Sequence, residues 1–345
     1  MLQPRAAEMV EGVTVLPPQH IVGQELAARL LVAALEKGRV TSSYCFLGPE
    51  GVGRSLMARW FAQALFCEAS SGIPCGQCSN CRWLLAGTHP DLHWVSPTYV
   101  HQGRLIAADA PEAQALQRRS PPQIRLEQVQ EVVRFCARRP MHARRSLVVL
   151  EGAETLTESA ANALLKTLEE PEPAHIVLIA SHHSPTPPPH PLPPTLLSRC
   201  QMVPFRRLSS AEMEQVLTAL GCPELPGIPR SELIALAQGS PGRALAAQQH
   251  LQSLPPSLLQ DLRRWPHSLR QALEVARAVA ALDLPAQLWL IDYLQQQFWA
   301  QGSRQAIRQL EQIRQQLLQF VQPRLAWEVN LAGFDSSGNP SPVAK

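Results

Sequence analysis

The chain has 345 residues, of which 45% are apolar and 17% are charged, and 31 Lys and Arg residues against 28 Asp and Glu leave a formal net charge of +3. This length allows a sizeable core but exceeds one ordinary domain, so two or three domains are expected. The small charge excludes a nucleic-acid binder that depends on strong overall basicity, although it is compatible with a local basic patch. Because no run of 18 apolar residues and no signal-peptide layout occur, we expect a soluble, cytoplasmic protein without membrane association.

Short β-branched runs alternate with helical patterns over the first two hundred residues, which is typical of an α/β fold with a parallel sheet between helices. The predicted strands are residues 44–47, 92–95, 147–150 and 176–180. Apolar residues at helical spacing predict a helix over residues 124–138, which Pro140 ends. Residues 96–122 have no clear period and are expected to form an insertion or a surface loop.

From residue 209 onward the pattern is helical only. Ser209 and Glu212 form a capping box that opens a helix to about residue 220, and Gly239 closes a second helix over residues 232–238. Long amphipathic helices are expected to begin near residues 257, 269, 285 and 303. The proline-rich residues 185–194 predict an extended connector, and residues 332–345 predict a disordered tail. We therefore predict an α/β domain over residues 1–207, a small helical domain over 208–252 and a third, all-helical domain over 253–331.

A glycine-rich loop follows the first predicted strand and leads into a helical pattern over residues 56–66. In such loops glycines let backbone N–H groups converge on phosphate oxygens, while a Lys reaches the outer phosphates and a Ser or Thr holds Mg²⁺. The residues of this loop are Gly48, Gly51, Gly53, Arg54 and Ser55. Arg54 occupies the position of the Lys, and its planar guanidinium does not replace a compact ammonium at a closely fitted phosphate site. Because Lys occurs at only three positions of the chain, the alternative is that Arg replaced a dispensable Lys. Both interpretations predict weakened ATP hydrolysis.

The second half of an ATPase site is an apolar strand that ends in two carboxylates, one for Mg²⁺ and one that polarises the attacking water. Here the strand over residues 147–150 leads into Glu151 and Gly152. Glu151 is able to serve the metal, but Gly152 has no side chain to act on water. The two half-sites in this order predict a P-loop NTPase fold that has lost turnover.

A cluster of four cysteines lies within fifteen positions: Cys67, Cys75, Cys78 and Cys81. These thiolates are enough to close a tetrahedral zinc site, and four protein ligands leave no position for water, so the metal is expected to be structural. An iron-sulfur centre is the minority interpretation, because no further ligand or redox motif accompanies the cluster. Four free thiols are less favoured still, because they would be an oxidation liability. The nearby His89 and His93 are interpreted as a loop residue and a strand residue rather than as ligands.

These motifs resemble the clamp-loader branch of the AAA+ ATPases, and within it the delta-prime family of the bacterial DNA polymerase III. The resemblance spans roughly residues 15–331 and rests on the degenerate phosphate loop, the four-cysteine insert, residues 21–24 (IVGQ), residues 160–171 (AANALLKTLEEP) and the Ser-Arg-Cys motif at residues 198–200. It implies an AAA+ domain with a zinc-binding insert over residues 67–81, followed by a helical lid and a collar domain that oligomerises.

The resemblance also implies roles for individual residues. Arg199 of the Ser-Arg-Cys motif would be an arginine finger that reaches the ATP site of a neighbouring motor subunit in trans. From the residues alone, Arg199 would be a structural arginine at a strand end. Ser181 and Arg243 match the two sensor positions of the family and would be vestigial in a chain without hydrolysis.

The function implied by the resemblance is that of an ATPase-inactive stator in DNA replication. The chain would be a subunit of the DNA polymerase III holoenzyme without catalytic activity of its own, and ATP binding stays in doubt. Its implied partners are the motor (gamma/tau) and delta subunits in a hetero-pentamer, with the sliding clamp and primed DNA reached through the assembly. Three tryptophans of the third domain would fit either a collar interface with other subunits or the hydrophobic core of this domain: Trp289, Trp299 and Trp327.

Two alternatives remain open. In the first, the chain is an ATP-hydrolysing motor-type (gamma/tau-like) subunit in which Arg54 and Glu151 still work. In the second, it is a zinc-stabilised nucleic-acid binder unrelated to replication. The low net charge and the lack of aromatic residues among the basic stretches disfavour the second alternative.

Overall fold

The computed structural model describes residues 21–69, 73–108, 110–114, 121–169, 174–181, 192–224, 228–264, 268–319 and 321–332. The chain divides into two compact units. The first unit comprises Met1–Ala219 and Gly239–Gly242, and the second unit comprises Leu220–Gln238 and Arg243–Lys345. The division into three domains at residues 207 and 252 stays a prediction.

A five-stranded parallel sheet forms the first unit's centre. Numbered along the chain, its strands are β1 (Ser43–Leu47), β2 (Leu92–Val95), β5 (Ser146–Glu151), β6 (Ala174–Ala180) and β7 (Gln201–Pro204). Their spatial order is β2–β5–β6–β1–β7. Every residue of β6, and every residue of β5 except Glu151, is buried, as expected of strands covered on both faces. The four predicted strands are confirmed, whereas β7 was missed because its short segment QMVP has no β-branched run.

Helices surround this sheet. Those of the first unit are α1 (Glu25–Glu36), α2 (Arg54–Phe66), α3 (Ser79–Leu85), α4 (Pro111–Gln114), α5 (Leu126–Cys136), α6 (Glu158–Glu169), α7 (Pro194–Leu197) and α8 (Ser210–Ala219), with a short 3-10 helix at Ala153–Thr155. The predicted helix over residues 124–138 is α5. The predicted capping box is present before α8, because the backbone N–H of Ser209 donates to Glu212 (2.7 Å) and the backbone N–H of Glu212 donates to the Ser209 hydroxyl (3.4 Å).

An antiparallel hairpin interrupts the stretch that the sequence predicted to be without regular structure. Its strands are β3 (Thr98–His101) and β4 (Arg104–Ala107). Gln102 and Gly103 make the turn with positive φ angles of 48° and 75°, which matches the twist of the strands. Of the two expectations for this stretch, the hairpin fits an insertion with regular structure rather than a loop over residues 98–107, and the sequence did not reveal it because Gln-Gly is a weaker turn signal than Asn-Gly.

The second unit is helical in its described part, as predicted. Its helices are α9 (Arg230–Ala237), α10 (Pro241–Ser253, which begins in the first unit), α11 (Pro256–Arg264), α12 (Leu269–Ala280), α13 (Leu284–Ala300), α14 (Arg304–Leu318) and α15 (Pro323–Ala332). Helix α12 packs against α15, and α13 packs against α14. The four predicted starts agree with the observed starts within one residue.

The three tryptophans of this unit occupy different environments. Trp327 is fully buried and donates its indole N–H to Gln287 (3.0 Å), so it belongs to the core. Trp289 stacks between the rings of His250 and Tyr293. Trp299 is 77% exposed at the end of α13. Of the three, only Trp299 has the exposure that an interface residue needs in the free chain.

Two predicted segments fall largely outside the described residues. They are the proline-rich connector over residues 185–194, of which only residues 192–194 are described, and the tail over residues 332–345, of which only residue 332 is described. Within the described ranges, no helix combines the length and the apolar character that a membrane span requires.

A buried histidine in β6 is expected to make the first unit acid-sensitive. His175 is 2% exposed, and burial lowers its pKa from the ordinary value. His175 therefore takes up a proton near pH 6.5 in the unfolded chain but only at lower pH in the folded chain. Its contribution to the free energy of unfolding is fully present above pH 6.5. Below that pH the free energy of unfolding falls by up to about 1.4 kcal/mol per pH unit for each such histidine. We expect His175→Gln to flatten the decrease in unfolding free energy between pH 7 and pH 5, measured by urea denaturation.

The matched control for this prediction is His101→Gln, which removes an exposed histidine of the hairpin. An equal flattening in both variants, or a stability that rises as the pH falls below 6.5, would contradict the account.

Candidate functional site

The predicted phosphate loop lies between β1 and α2, in the order strand, loop, helix. Gly51 and Gly53 have positive φ angles of 72° and 101°, a conformation that glycine adopts without a side-chain penalty. The backbone N–H of Gly48 bonds to the carbonyl of Ala180 at the end of β6 (3.3 Å). The loop geometry that the sequence predicts is therefore present.

Close packing covers this loop within the first unit. A Cβ added at Gly48 would lie 2.6 Å from the carbonyl oxygen of Phe205, and one added at Gly51 would lie 2.6 Å from the hydroxyl of Ser240. The Ser240 hydroxyl donates to the carbonyl of Glu50 (2.8 Å), and the N–H of Gly242 donates to the carbonyl of Gly51 (2.9 Å). These two glycines therefore permit backbone packing as well as a phosphate cradle.

Arg54, at the position of the missing Lys, points into the protein. It is 8% exposed, and its Nη1 has no hydrogen-bond partner among the described residues. Burial lowers the pKa of Arg54, while the carboxylates of Glu154, Glu50 and Glu151 act in the opposite direction. The guanidinium of Arg54 thus lies near acidic groups of its own chain, whereas a Lys at this position of a phosphate loop binds the phosphates of a nucleotide.

Glu151 and Ser55, the two residues predicted to serve Mg²⁺, bond to each other. The Ser55 hydroxyl donates to Oε1 of Glu151, and the indole N–H of Trp94 donates to Oε2 of Glu151 (2.9 Å). The guanidinium carbon of Arg59 lies 4.9 Å from the centre of the Trp94 ring. Both carboxylate oxygens therefore have partners within the protein.

At the position of the water-activating carboxylate, Gly152 has a φ of +69°, and a Cβ there would lie 2.9 Å from Cγ of Pro97. Two positions further on, Glu154 has one oxygen that is buried without a partner among the described residues. Burial raises the pKa of Glu154, whereas the Ser181 backbone N–H and Arg54 lower it. No carboxylate replaces the missing side chain of Gly152 itself.

The residues at the sensor positions lie in different units. Ser181 follows β6, and its hydroxyl donates to the carbonyl of Gly48 in the phosphate loop (3.4 Å). Arg243 lies in the first turn of α10, in the part that belongs to the second unit. Their predicted vestigial roles stay predictions.

Arg199 lies at the surface of the first unit, in the turn between α7 and β7. Its side chain is 34% exposed and forms a salt bridge with Glu169, the last residue of α6, whose side chain is 51% exposed. Nε of Arg199 donates to Oε1 of Glu169 (2.8 Å), Nη2 donates to the same oxygen, and Nη1 donates to the carbonyl of Thr195 (2.9 Å). The side chain of Arg199 is therefore held by several hydrogen bonds and is still partly exposed.

The four clustered cysteines come together between α2 and α3. Their sulfur atoms all lie within 4.8 Å of one another, so this group can hold a metal ion. Backbone N–H groups point at three of the sulfurs, from Cys75 to Cys67 (3.3 Å), from Cys78 to Cys75 (3.4 Å) and from Cys81 to Cys78 (3.5 Å). Backbone donors lower the pKa of Cys75 to about 6, whereas burial raises the pKa of Cys67 and Cys81. Sulfur donors in such a group fit a soft or borderline metal.

A buried polar network joins this insert to the rest of the first unit. Asn80 donates to the carbonyl of Phe66 at the end of α2 (2.9 Å), and its amide oxygen lies 3.2 Å from Nε2 of His89. Nδ1 of His89 accepts the backbone N–H of Asp91 (3.1 Å). His89 is therefore a loop residue with both ring nitrogens engaged, and His93 is a residue of β2, as predicted.

Sequence reasoning assigned no role to three residues that lie at the candidate nucleotide site: Trp94, Glu154 and Ser240. The parallel pairing of β2 with β5 brings Trp94 beside the end of β5, and this neighbour relation could have been found once the strand order was known. Glu154 is visible in the sequence as a second acidic residue after the strand. Ser240 carries no local signal, because it reaches Glu50 across 190 positions of the chain.

Comparisons with known proteins agree with this geometry. A family model described as "DNA polymerase III, delta subunit" matches residues 23–209, which is more than half of the chain. A second model, for the C-terminal domain of the cyanobacterial DNA polymerase III delta prime, matches residues 211–334. The two models together account for nearly all of the described residues.

Individual relatives are also subunits of DNA polymerase III. DNA polymerase III subunit delta' of Pseudomonas aeruginosa is 36% identical over 210 residues, which cover 59% of this chain and 55% of that protein. The delta' subunit of Bacillus subtilis is 29% identical over 194 residues, covering 56% and 51%. DNA polymerase III subunit tau of Bacillus subtilis is 31% identical over 193 residues, covering 56% and 29%. The chain spans about half the length of the delta' relatives it matches. It belongs to the delta-prime family of DNA polymerase III clamp-loader subunits.

Proposed function

We propose that this chain hydrolyses no ATP itself and supplies Arg199 to the ATP site of a neighbouring motor subunit while a clamp loader places the sliding clamp on primed DNA. One contrast carries the proposal. The chain's own nucleotide site has a glycine, Gly152, at the position of the water-activating carboxylate, whereas the Arg199 side chain lies at the surface and is partly exposed. A finger in trans needs this exposure.

The arrangement around Glu151 argues against hydrolysis by the chain itself. Mg²⁺ would be held through Ser55 and Glu151, and one carboxylate oxygen of Glu151 already accepts the indole N–H of Trp94. At Gly152 there is no group to take a proton from the attacking water, a contribution worth about 10²–10⁴ in rate. A motor-type subunit would have to compensate both for the engaged carboxylate of Glu151 and for the missing side chain at position 152.

Arg54 and Glu154 support the same view of the loop. A buried arginine is stabilised by nearby carboxylates, and here they come from the chain itself rather than from a nucleotide with its metal. Burial outweighs these carboxylates and lowers the pKa of Arg54, so this side chain is enclosed by the protein rather than directed toward an incoming phosphate.

The assembly that this role requires contains other subunits. Motor (gamma/tau) and delta subunits would join the chain in a cytoplasmic hetero-pentamer, and the sliding clamp and primed DNA would be reached through that assembly. The similarity to a tau subunit over 56% of the chain supports a motor neighbour built on the same kind of domain. The exposed Trp299 suits a collar contact between subunits.

We further propose that Cys67, Cys75, Cys78 and Cys81 hold a structural zinc ion. Four thiolates complete a tetrahedral coordination shell, so no position is left for a reacting water. The ion would fix the insert at the end of α2, where Asn80 and His89 also anchor it.

The isolated chain separates this proposal from the motor-type alternative. We expect no Mg²⁺-dependent ATP turnover above the buffer rate, with the motor subunit at equal concentration as the positive control. The physical reason is that the Glu151 carboxylate is engaged by Trp94 and that Gly152 has no side chain to act on water. Turnover by the isolated chain that Glu151→Gln abolishes would establish the motor-type alternative instead.

A further inference from the structure

The Arg199 guanidinium is held along one edge. Nε and Nη2 both donate to Oε1 of Glu169, so this carboxylate binds the side of the group that faces α6. Nη1 donates to the Thr195 carbonyl (2.9 Å) and makes a long contact with the Ser198 hydroxyl (3.5 Å). Three separate groups of the first unit therefore define the plane in which the guanidinium lies.

A count of donors shows what this arrangement leaves available. A guanidinium has five N–H groups in a fixed planar fork. The contacts with Glu169 use one N–H on Nε and one on Nη2, and those with Thr195 and Ser198 use at most the two on Nη1. One N–H of Nη2 has no contact among the described residues. The long contact of Nη1 with the Ser198 hydroxyl can readily be replaced by a hydrogen bond to another acceptor. The edge formed by Nη1 and Nη2 can thus donate hydrogen bonds to a phosphate while the contacts with Glu169 are kept.

The position of Glu169 has no evident benefit for stability alone. A carboxylate in the last turn of a helix faces the negative end of the helix dipole, which disfavours it unless a cation lies close by. The salt bridge is half exposed, and pairs of this kind contribute little to folding. An arginine side chain, however, has several rotatable bonds, and a partner that fixes it in advance removes much of the ordering cost of binding.

We propose that Glu169 is a positioning residue that orients Arg199 with its Nη1–Nη2 edge outward, toward the terminal phosphate of a nucleotide bound by the neighbouring subunit. The inference rests on the proposed function, because it takes Arg199 as the finger. The carboxylate acts through hydrogen bonds to Nε and Nη2, so an uncharged acceptor of the same shape preserves the orientation.

The test is ATP turnover in the full mixture of this chain, motor subunit, delta subunit, clamp and primed DNA. We expect Glu169→Ala to lower the maximal rate at the site completed by this chain by about tenfold, since small misplacements of a catalytic group cost one to two orders of magnitude. The KM for ATP should stay unchanged, because the motor subunit binds the nucleotide. Glu169→Gln should retain at least about a third of the rate, because its amide oxygen still accepts from the guanidinium.

The matched control is Glu158→Ala, which removes an exposed carboxylate from the first turn of the same helix. Sedimentation of each mixture checks that the assembly forms equally well. The inference is overturned if Glu169→Ala keeps or exceeds the wild-type rate, if Glu169→Gln is as impaired as Glu169→Ala, or if the loss appears only in KM or in assembly. Arg199→Ala distinguishes the two levels: if that variant loses turnover and Glu169→Ala does not, only the positioning role fails, whereas an unaffected Arg199→Ala contradicts the proposed function and the inference together.

Discussion

Replacing Arg199 with Ala is expected to remove the equivalent of one ATP per assembly from the pre-steady-state burst of hydrolysis in the reconstituted mixture. An arginine finger stabilises the charge that develops on the transferred phosphate and is worth about 10³–10⁵ in rate, so the affected site becomes silent on the timescale of the burst. Sites completed by other subunits continue to turn over. Rapid-quench measurement of product per assembly is the direct readout.

Two variants serve as controls for this prediction. Arg134→Ala removes an exposed arginine from α5 and should leave the burst intact. Arg199→Lys keeps the charge but not the planar fork, so it should restore only part of the lost product. Because Arg199 forms a half-exposed salt bridge, the unfolding free energy of Arg199→Ala should change by no more than about 1 kcal/mol. An unchanged burst in a fully assembled Arg199→Ala mixture would mean that Arg199 is a structural residue.

Replacing Cys81 with Ser is expected to abolish metal binding and to destabilise the first unit. Cys81 is fully buried at the start of α3, next to Asn80, which ties the insert to α2. Structural zinc binds peptides with apparent free energies of about 10–16 kcal/mol, so the loss of this site should cost several kcal/mol, on the order of 5. Zinc content by atomic emission and unfolding by urea with and without a chelator are the measurements.

A second cysteine outside the cluster provides the comparison for this variant. Cys136→Ser in α5 changes a residue that is 7% exposed and should retain one metal ion per chain. A wild-type chain without bound metal would contradict the zinc proposal. So would the visible absorbance of an iron-sulfur centre, or a Cys81→Ser variant with unchanged metal content and stability.

The parallel sheet could be predicted because its central strands are apolar runs rich in Val and Ile. The segments LVVL and HIVLIA have the length and the Val and Ile content typical of strands in a sheet that is buried on both faces. The sheet edge and the hairpin were harder to predict. The strand β7 forms because β1 offers an unpaired edge, which is a property of the fold and not of the segment itself.

The candidate site could be predicted as a set of positions but not as a set of contacts. The residues Arg54 and Gly152 are visible in the sequence as departures from the usual pattern of an ATPase site, and their effect on nucleotide turnover stays a prediction. The bond between Ser55 and Glu151 joins residues 96 positions apart, and the one between Arg199 and Glu169 joins residues 30 positions apart. Such contacts depend on how helices pack against the sheet, so spacing alone does not reveal them.

The most direct test of the account is Mg²⁺-dependent ATP turnover, with primed DNA and clamp present, in three samples: the isolated chain, the motor subunit with delta, and all three proteins together. We predict no ATP turnover by the isolated chain and a low turnover rate for the motor subunit with delta. The rate should increase clearly when this chain is added to those two proteins. ATP turnover by the isolated chain would contradict the claim that this chain has no active site of its own. A turnover rate of the mixture that does not change when this chain is added would contradict the claim that it completes the active site of a neighbouring subunit.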